Sequence, residues 1–97
     1  MGFNELIQQS TPVLVDFYAD WCGPCRTLAP ILIDVAGAVD GRARVIKVNV
    51  DNNAAAADRY NVRSVPTLLL FKNGKVMWRH SGVLSREEIV RAIDKAT

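Results

Sequence analysis

The sequence predicts an α/β domain, a central mixed β-sheet of about four strands flanked by helices. Three observations carry that expectation. Hydrophobic periodicity switches several times between strand-like and helical, and two strand-like runs flank an Asn-Gly pair near the end. With 97 residues and 49% hydrophobic content, the chain supports one core and hardly two, so a single domain over residues 1–97 is expected.

Phe3, Leu6 and Ile7 are spaced for one face of a short helix, closed by the break Ser10-Thr11-Pro12. VLVDFYA at 13–19 is β-branched, aromatic and apolar on both faces, which suits a strand in the middle of a covered sheet. From Arg26 to Val39, Leu28, Ile31, Leu32, Val35 and Val39 recur at helical spacing, with Pro30 expected to bend the helix. The Asp40-Gly41 turn leads to RVIKVNV at 44–50, a half-buried strand with Ile46, Val48 and Val50 on one face. Strand, helix and strand in that order make a right-handed crossover between parallel strands.

NNAAAADRY at 52–60 is a helical segment and leads through a loop to Pro66. TLLLF at 67–71 and KVMWRH at 75–80 flank Lys72-Asn73-Gly74, which predicts an antiparallel hairpin. Ser85 and Glu88 have capping-box spacing, opening a last helix whose Ile89, Val90 and Ile93 face inward.

Twelve Lys and Arg against ten Asp and Glu give a net charge of +2, with the basic residues scattered, so no nucleic-acid partner is expected. The longest apolar run, VPTLLLF at 65–71, falls far short of the roughly 18 residues a membrane span needs. MGFNELIQQS shows no basic segment leading into an apolar one, so the expected location is the cytoplasm, although a chain trimmed of its leader would read the same way. A monomer is expected.

The two cysteines lie in DWCGPCR at 20–26, where strand gives way to helix, which places Cys22 at a helix N-terminus among four unpaired amides. A structural zinc site needs four ligands, and this chain offers two Cys and a distant His80. No metal or other bound cofactor is expected. A staple closing a four-residue loop would stabilise by only about 2 kcal/mol, against about 4.7 for a loop of 100 residues. Redox chemistry makes better use of the pair. An ordinary Cys with a pKa of about 8.5 is only about 3% thiolate at pH 7, and helix-terminal amides and a neighbouring thiol raise that fraction. Two intervening residues also let Cys25 reach Cys22, so a mixed disulfide can be resolved within one molecule.

Asp16, inside the apolar strand, is either turned to solvent or buried with a raised pKa. Burial is favoured, because Val15 and Phe17 on one face and Leu14 and Tyr18 on the other leave no polar side.

WCGPC at 21–25, the acid within VLVDFYA, VPTLLLF with its proline ahead of the hairpin, FKNGKV and Gly82 together resemble the thioredoxin family over about Pro12 to Thr97. The resemblance implies the thioredoxin fold and a cis Val65-Pro66 bond, with the Val65 backbone free to pair with an extended partner segment. It implies a proton-transfer role for Asp16 with Lys47 nearby, Cys22 as the attacking sulfur and Cys25 as the resolving one. A flat docking surface of Gly23, Pro24, Val65, Pro66, Gly82 and Val83 is implied around Cys22, with Trp21 expected to pack beneath the loop and show part of its ring. Recycling by a flavin-containing thioredoxin reductase, using NADPH indirectly, is implied too. Many thioredoxins begin with an extra strand that has no counterpart before Phe3, so 44–50 is expected to be a free sheet edge.

Gly-Pro between the cysteines is similar to reducing members of that family, and the resemblance implies a protein-disulfide reductase acting on disulfide-containing partner proteins. The alternatives are an oxidant or isomerase, whose intervening pair commonly includes histidine, and a non-catalytic binding subunit. Met77, Trp78 and His80 are assigned no chemistry.

Overall fold

The computed structural model describes residues 2–97. Elements follow one another as α1 (Phe3–Leu6), β1 (Val13–Tyr18), α2 (Gly23–Ala38), β2 (Arg44–Asn49), α3 (Ala54–Arg59), β3 (Thr67–Lys72), β4 (Lys75–Ser81) and α4 (Arg86–Ala96). The four strands form one mixed sheet in the order β2-β1-β3-β4. β1 pairs parallel with β2 and antiparallel with β3, and β3 with β4 form the hairpin. Among the described residues no strand precedes α1, so β2 is a sheet edge, as expected.

β1 is central because it is apolar on both faces. Leu14 joins Leu28, Leu32 and Val35 of α2, Leu68 and Leu70 of β3, and Ile89 and Ile93 of α4 in one core layer. Val13, Val15 and Phe17 point the other way, to Ile7, Leu69 and Phe71, with Phe3, Tyr60 and Val62 packed against them. A helix of four residues does not hold in water by itself. α1 is anchored by Phe3, whose ring lies 5.8–6.0 Å from those of Phe17, Tyr60 and Phe71.

The hairpin turn has φ of 53° at Asn73 and 78° at Gly74, the two positive values that match the twist of paired strands. Its amides also bond to the segment after α1, Asn73 N to Gln9 O at 2.7 Å and Gly74 N to Ile7 O at 2.9 Å. In β4 the register shifts between Leu70 and Phe71, which pair with Trp78 and Val76. Met77 is the extra residue and is left exposed, whereas Trp78 packs on the α4 side with its ring stacked against His80.

α2 begins at Gly23, earlier than the run of Leu, Ile and Val at helical spacing, because its first turn is built by the Cys22 cap, Pro24 and the buried Cys25. α4 opens as anticipated, with Ser85 Oγ accepting from Glu88 N at 3.2 Å.

Candidate active site

Cys22 is the N-cap of α2, and its Sγ accepts a hydrogen bond from Cys25 N at 3.2 Å. The first turn carries Cys25 back toward Cys22, with 5.3 Å between the Cα atoms, and the two sulfurs are joined in a disulfide. Both side chains are buried while Gly23 and Pro24 between them are exposed. An amide aimed at Cys22 Sγ, at the positive end of a 16-residue helix, favours negative charge on that sulfur once the disulfide opens.

The loop before β3 supplies the other wall. The Val65-Pro66 peptide is cis, and the Val65 carbonyl oxygen lies 3.6 Å from Cys22 Sγ. Gly82, at φ of 104°, donates its amide to Pro66 O at 2.9 Å, and the exposed Val83 follows it in the chain. Thr67, fully buried, donates its hydroxyl to Ser64 O at 2.7 Å and pins the loop to the sheet.

Asp16 is fully buried on the α2 side of the sheet, between Leu14 and Tyr18, and neither carboxylate oxygen has a hydrogen-bond partner. Burial pushes its pKa up from 3.8 to about 6, and the positive charge of Lys47 holds it from rising further. Lys47 pairs with Asp16 across β1 and β2, but its ammonium sits 4.3 Å from the centre of the Tyr18 ring. Tyr18, Cys25, Arg26 and Lys47 line a recess of about 150 Å³ at the helix start. Among the described residues no group of three potential metal ligands comes together.

Comparison with known proteins assigns the chain. The family model described as Thioredoxin matches residues 1–95. The chain belongs to the thioredoxin family. A thioredoxin of Acidithiobacillus ferridurans is 44% identical over 91 residues, 94% of this chain and 84% of that protein. Thioredoxin 1 of Synechococcus elongatus is 41% identical over 92 residues, 95% of this chain and 86% of that one. Thioredoxin Y of Oryza sativa, described as chloroplastic, is 40% identical over 96 residues, 98% of this chain and 57% of that protein. Thioredoxins are protein-disulfide oxidoreductases, and this chain carries the redox-active pair in disulfide form.

The thioredoxin site gathers most of the residues named from sequence. Cys22 and Cys25 meet in the disulfide, Val65 and Pro66 lie beside Cys22, and Gly82 is bonded to Pro66 with Val83 next to it in the chain. Lys47 shares a recess with Cys25, and Asp16 is its register partner on β1. Trp21 differs from expectation. It does not pack beneath the loop but lies on the surface, 68% exposed, held by Nε1 donating to Asp51 Oδ2 at 3.0 Å. Asp51 was not singled out from sequence, nor were Val50, Val62, Arg63 and Ser64, which with Trp21 and Val65 line a small recess next to Cys22. The available signal was position alone, Arg63-Ser64 running directly into Val65-Pro66.

Proposed function

We propose that the protein is a dithiol reductant of disulfides in partner proteins, recycled by a thioredoxin reductase at the expense of NADPH. The observation that carries this reading is the Cys22–Cys25 disulfide at a helix start, with a backbone amide directed at Cys22 Sγ. The Cys22 thiolate attacks one sulfur of the partner disulfide, forming a mixed disulfide and expelling the other partner sulfur as a thiolate. Asp16, acting through water in the recess lined by Cys25 and Lys47, accepts the proton of Cys25. The Cys25 thiolate then attacks Cys22 Sγ and expels the second partner sulfur. Two electrons have passed to the partner, and the protein is left as the Cys22–Cys25 disulfide.

The exposed Trp21, Gly23, Pro24 and Val83, with Val65, Pro66 and Gly82 between them, form the surface on which partners dock. Small residues at 23 and 82 allow another backbone to come close. The cytoplasm is the proposed location, because a reductant must be resupplied with electrons in a reducing compartment. The equilibrium reduction potential tests the direction of the chemistry. A value near the roughly −270 mV of thioredoxin supports the reductant, and one near the roughly −120 mV of a dedicated oxidant overturns it.

A further inference from the structure

The sheet ends in β4, and the edge there carries a groove that disulfide exchange does not use. Trp78 and His80 project from the strand on the α4 side, their rings 6.2 Å apart and 11° from parallel. Both stay half-buried, and with Leu84, Ala92 and Ala96 they line a groove of about 440 Å³ between strand and helix. Arg91 and Lys95 of α4 stand exposed on its rim, and among the described residues neither makes an ion pair. Lys72, whose ammonium donates to Ala96 O at 3.3 Å, and its register partner Lys75 add two cations at the hairpin end. The carboxylate in this groove is Glu88, which already accepts from the Ser85 hydroxyl at 3.1 Å. In a chain with a net charge of only +2, this arrangement concentrates positive potential on one side.

The strand beside the groove has unused bonding capacity. Gly82 N donates to Pro66 O, which fixes the phase of the antiparallel ladder. His80 and Trp78 therefore bond to Leu68 and Leu70, while the amides and carbonyls of Arg79 and Ser81 point out of the sheet. The bulge at Met77 ends the regular stretch and limits further pairing to these two residues. An extended segment laid along them adds a strand, and the side chain between its two bonded residues turns into the groove next to His80.

We propose that the β4 edge and its groove bind an acidic extended segment of a partner protein. One aromatic or large aliphatic side chain of that segment lies on the Trp78–His80 floor, and carboxylates two residues to either side reach Arg91, Lys95 and the hairpin lysines. The site shares no residue with the surface around Cys22, so binding requires no disulfide in the partner. A second copy pairing edge to edge about Arg79 would set that charge against itself, which disfavours it. Nucleic acid matches the charge but has no peptide groups to complete the strand.

A fluorescently labelled, cysteine-free peptide, acetyl-Glu-Thr-Phe-Thr-Glu-amide, tests this by anisotropy titration with the full chain in its disulfide form. Replacing both Glu by Lys should weaken binding about tenfold, as should replacing Phe by Gly, and 1 M salt should remove the Glu/Lys difference. The double variant Arg91→Glu, Lys95→Glu changes two exposed side chains and should reverse the Glu/Lys preference. Methylation of the two Thr amides, which face the strand edge, should weaken binding about tenfold or more, and methylation of the Phe amide, which faces away, far less. Amide exchange at Arg79 and Ser81 should slow when the peptide is added. Absence of saturable binding, equal binding after methylation of the Thr amides, or a Glu/Lys preference unchanged in the double variant overturns the proposal. So does slowing at Arg79 and Ser81 that grows with protein concentration alone, which assigns the edge to a second copy. Tighter binding of an oligothymidylate in the same groove overturns it too, in favour of nucleic acid.

Discussion

Asp16 and Lys47 are register partners on adjacent parallel strands, yet no ion pair joins them. The ammonium lies over the Tyr18 ring, and both oxygens of the carboxylate are left without a partner in the core. Lys47 therefore acts on Asp16 only through its field, lowering a pKa that burial raises further. An acid held this way weakens the fold when ionised and is a ready proton acceptor near neutral pH.

The effect on stability has a definite sign. Folded Asp16 keeps its proton up to about pH 6, whereas an unperturbed carboxyl releases it near 3.8. Between those values the folded state binds more protons than the unfolded one, so stability falls as pH rises from about 4 to 6 and stays lowered at neutral pH. The deficit is about 2–3 kcal/mol. Asp16→Asn should be more stable than the wild type by that amount at pH 7, with the gain vanishing below about pH 4. Urea unfolding across this range checks it, and a difference between the two proteins that does not vary with pH contradicts it.

The same ionisation should govern the resolving step. With Asp16 as proton acceptor for Cys25, release of the reduced partner slows as pH falls through about 6. Asp16→Asn should slow that step by roughly a hundredfold at pH 7 and abolish the inflection. Single-turnover kinetics separate this step from formation of the mixed disulfide. An Asp16→Asn profile that keeps the inflection would assign it to another group.

The parts of this fold legible in the sequence are those that one stretch specifies by itself. Val13 to Phe17 read as a central strand because both faces are apolar, Asn73-Gly74 as a turn because both residues tolerate positive φ, and Ser85 with Glu88 as a cap. Where distant segments combine, the sequence says less. The bulge at Met77 depends on the register against Leu70 and Phe71, and the exposed pose of Trp21 on Asp51, thirty residues away. The recess beside Cys22 draws on Trp21, Val50 and the loop 62–65, none of which carries a chemical signature by itself. Asp16 stood out as the one acid in an apolar run, but its distance from any ion pair is a property of the Lys47 rotamer over Tyr18.

The division of labour between the sulfurs can be read from trapping. Cys25→Ser leaves Cys22 able to attack but with nothing to resolve the product, so a mixed disulfide with partner proteins should accumulate. Cys22→Ser should form none. Mass spectrometry under non-reducing conditions distinguishes the two, and adducts confined to Cys22→Ser would reverse the assignment.

Gly74 supplies a stability test remote from the site. A Cβ there would come 2.5 Å from Gln8 Nε2, but Gln8 is an exposed, flexible side chain that can swing aside. The lasting cost is φ of 78°, about 1–2 kcal/mol for an ordinary L-residue. Gly74→Ala should lose that amount in denaturant unfolding, and Gly74→Asn less, because Asn enters this region more readily. Equal losses for the two would shift the cause from backbone to crowding.

The free edge at β2 has a signature in amide exchange that alternates by residue. Arg44 N donates to Pro12 O and Val50 N to Tyr18 O, each at 2.9 Å, which fixes the phase of the parallel ladder. The amides of Arg44, Ile46, Val48 and Val50 point to β1, and those of Val45, Lys47 and Asn49 point away from the sheet. In a monomer the first group, its interior members above all, should exchange slowly and the second fast. A second copy docking edge to edge in the antiparallel sense would cover the outward amides, but the register centred on residue 47 sets Lys47 directly against its own copy, an arrangement that disfavours the pairing. Hydrogen exchange followed residue by residue at rising protein concentration decides between the two states. Fast exchange at Val45, Lys47 and Asn49 at every concentration fits the monomer, while protection that grows with concentration would establish pairing through this strand.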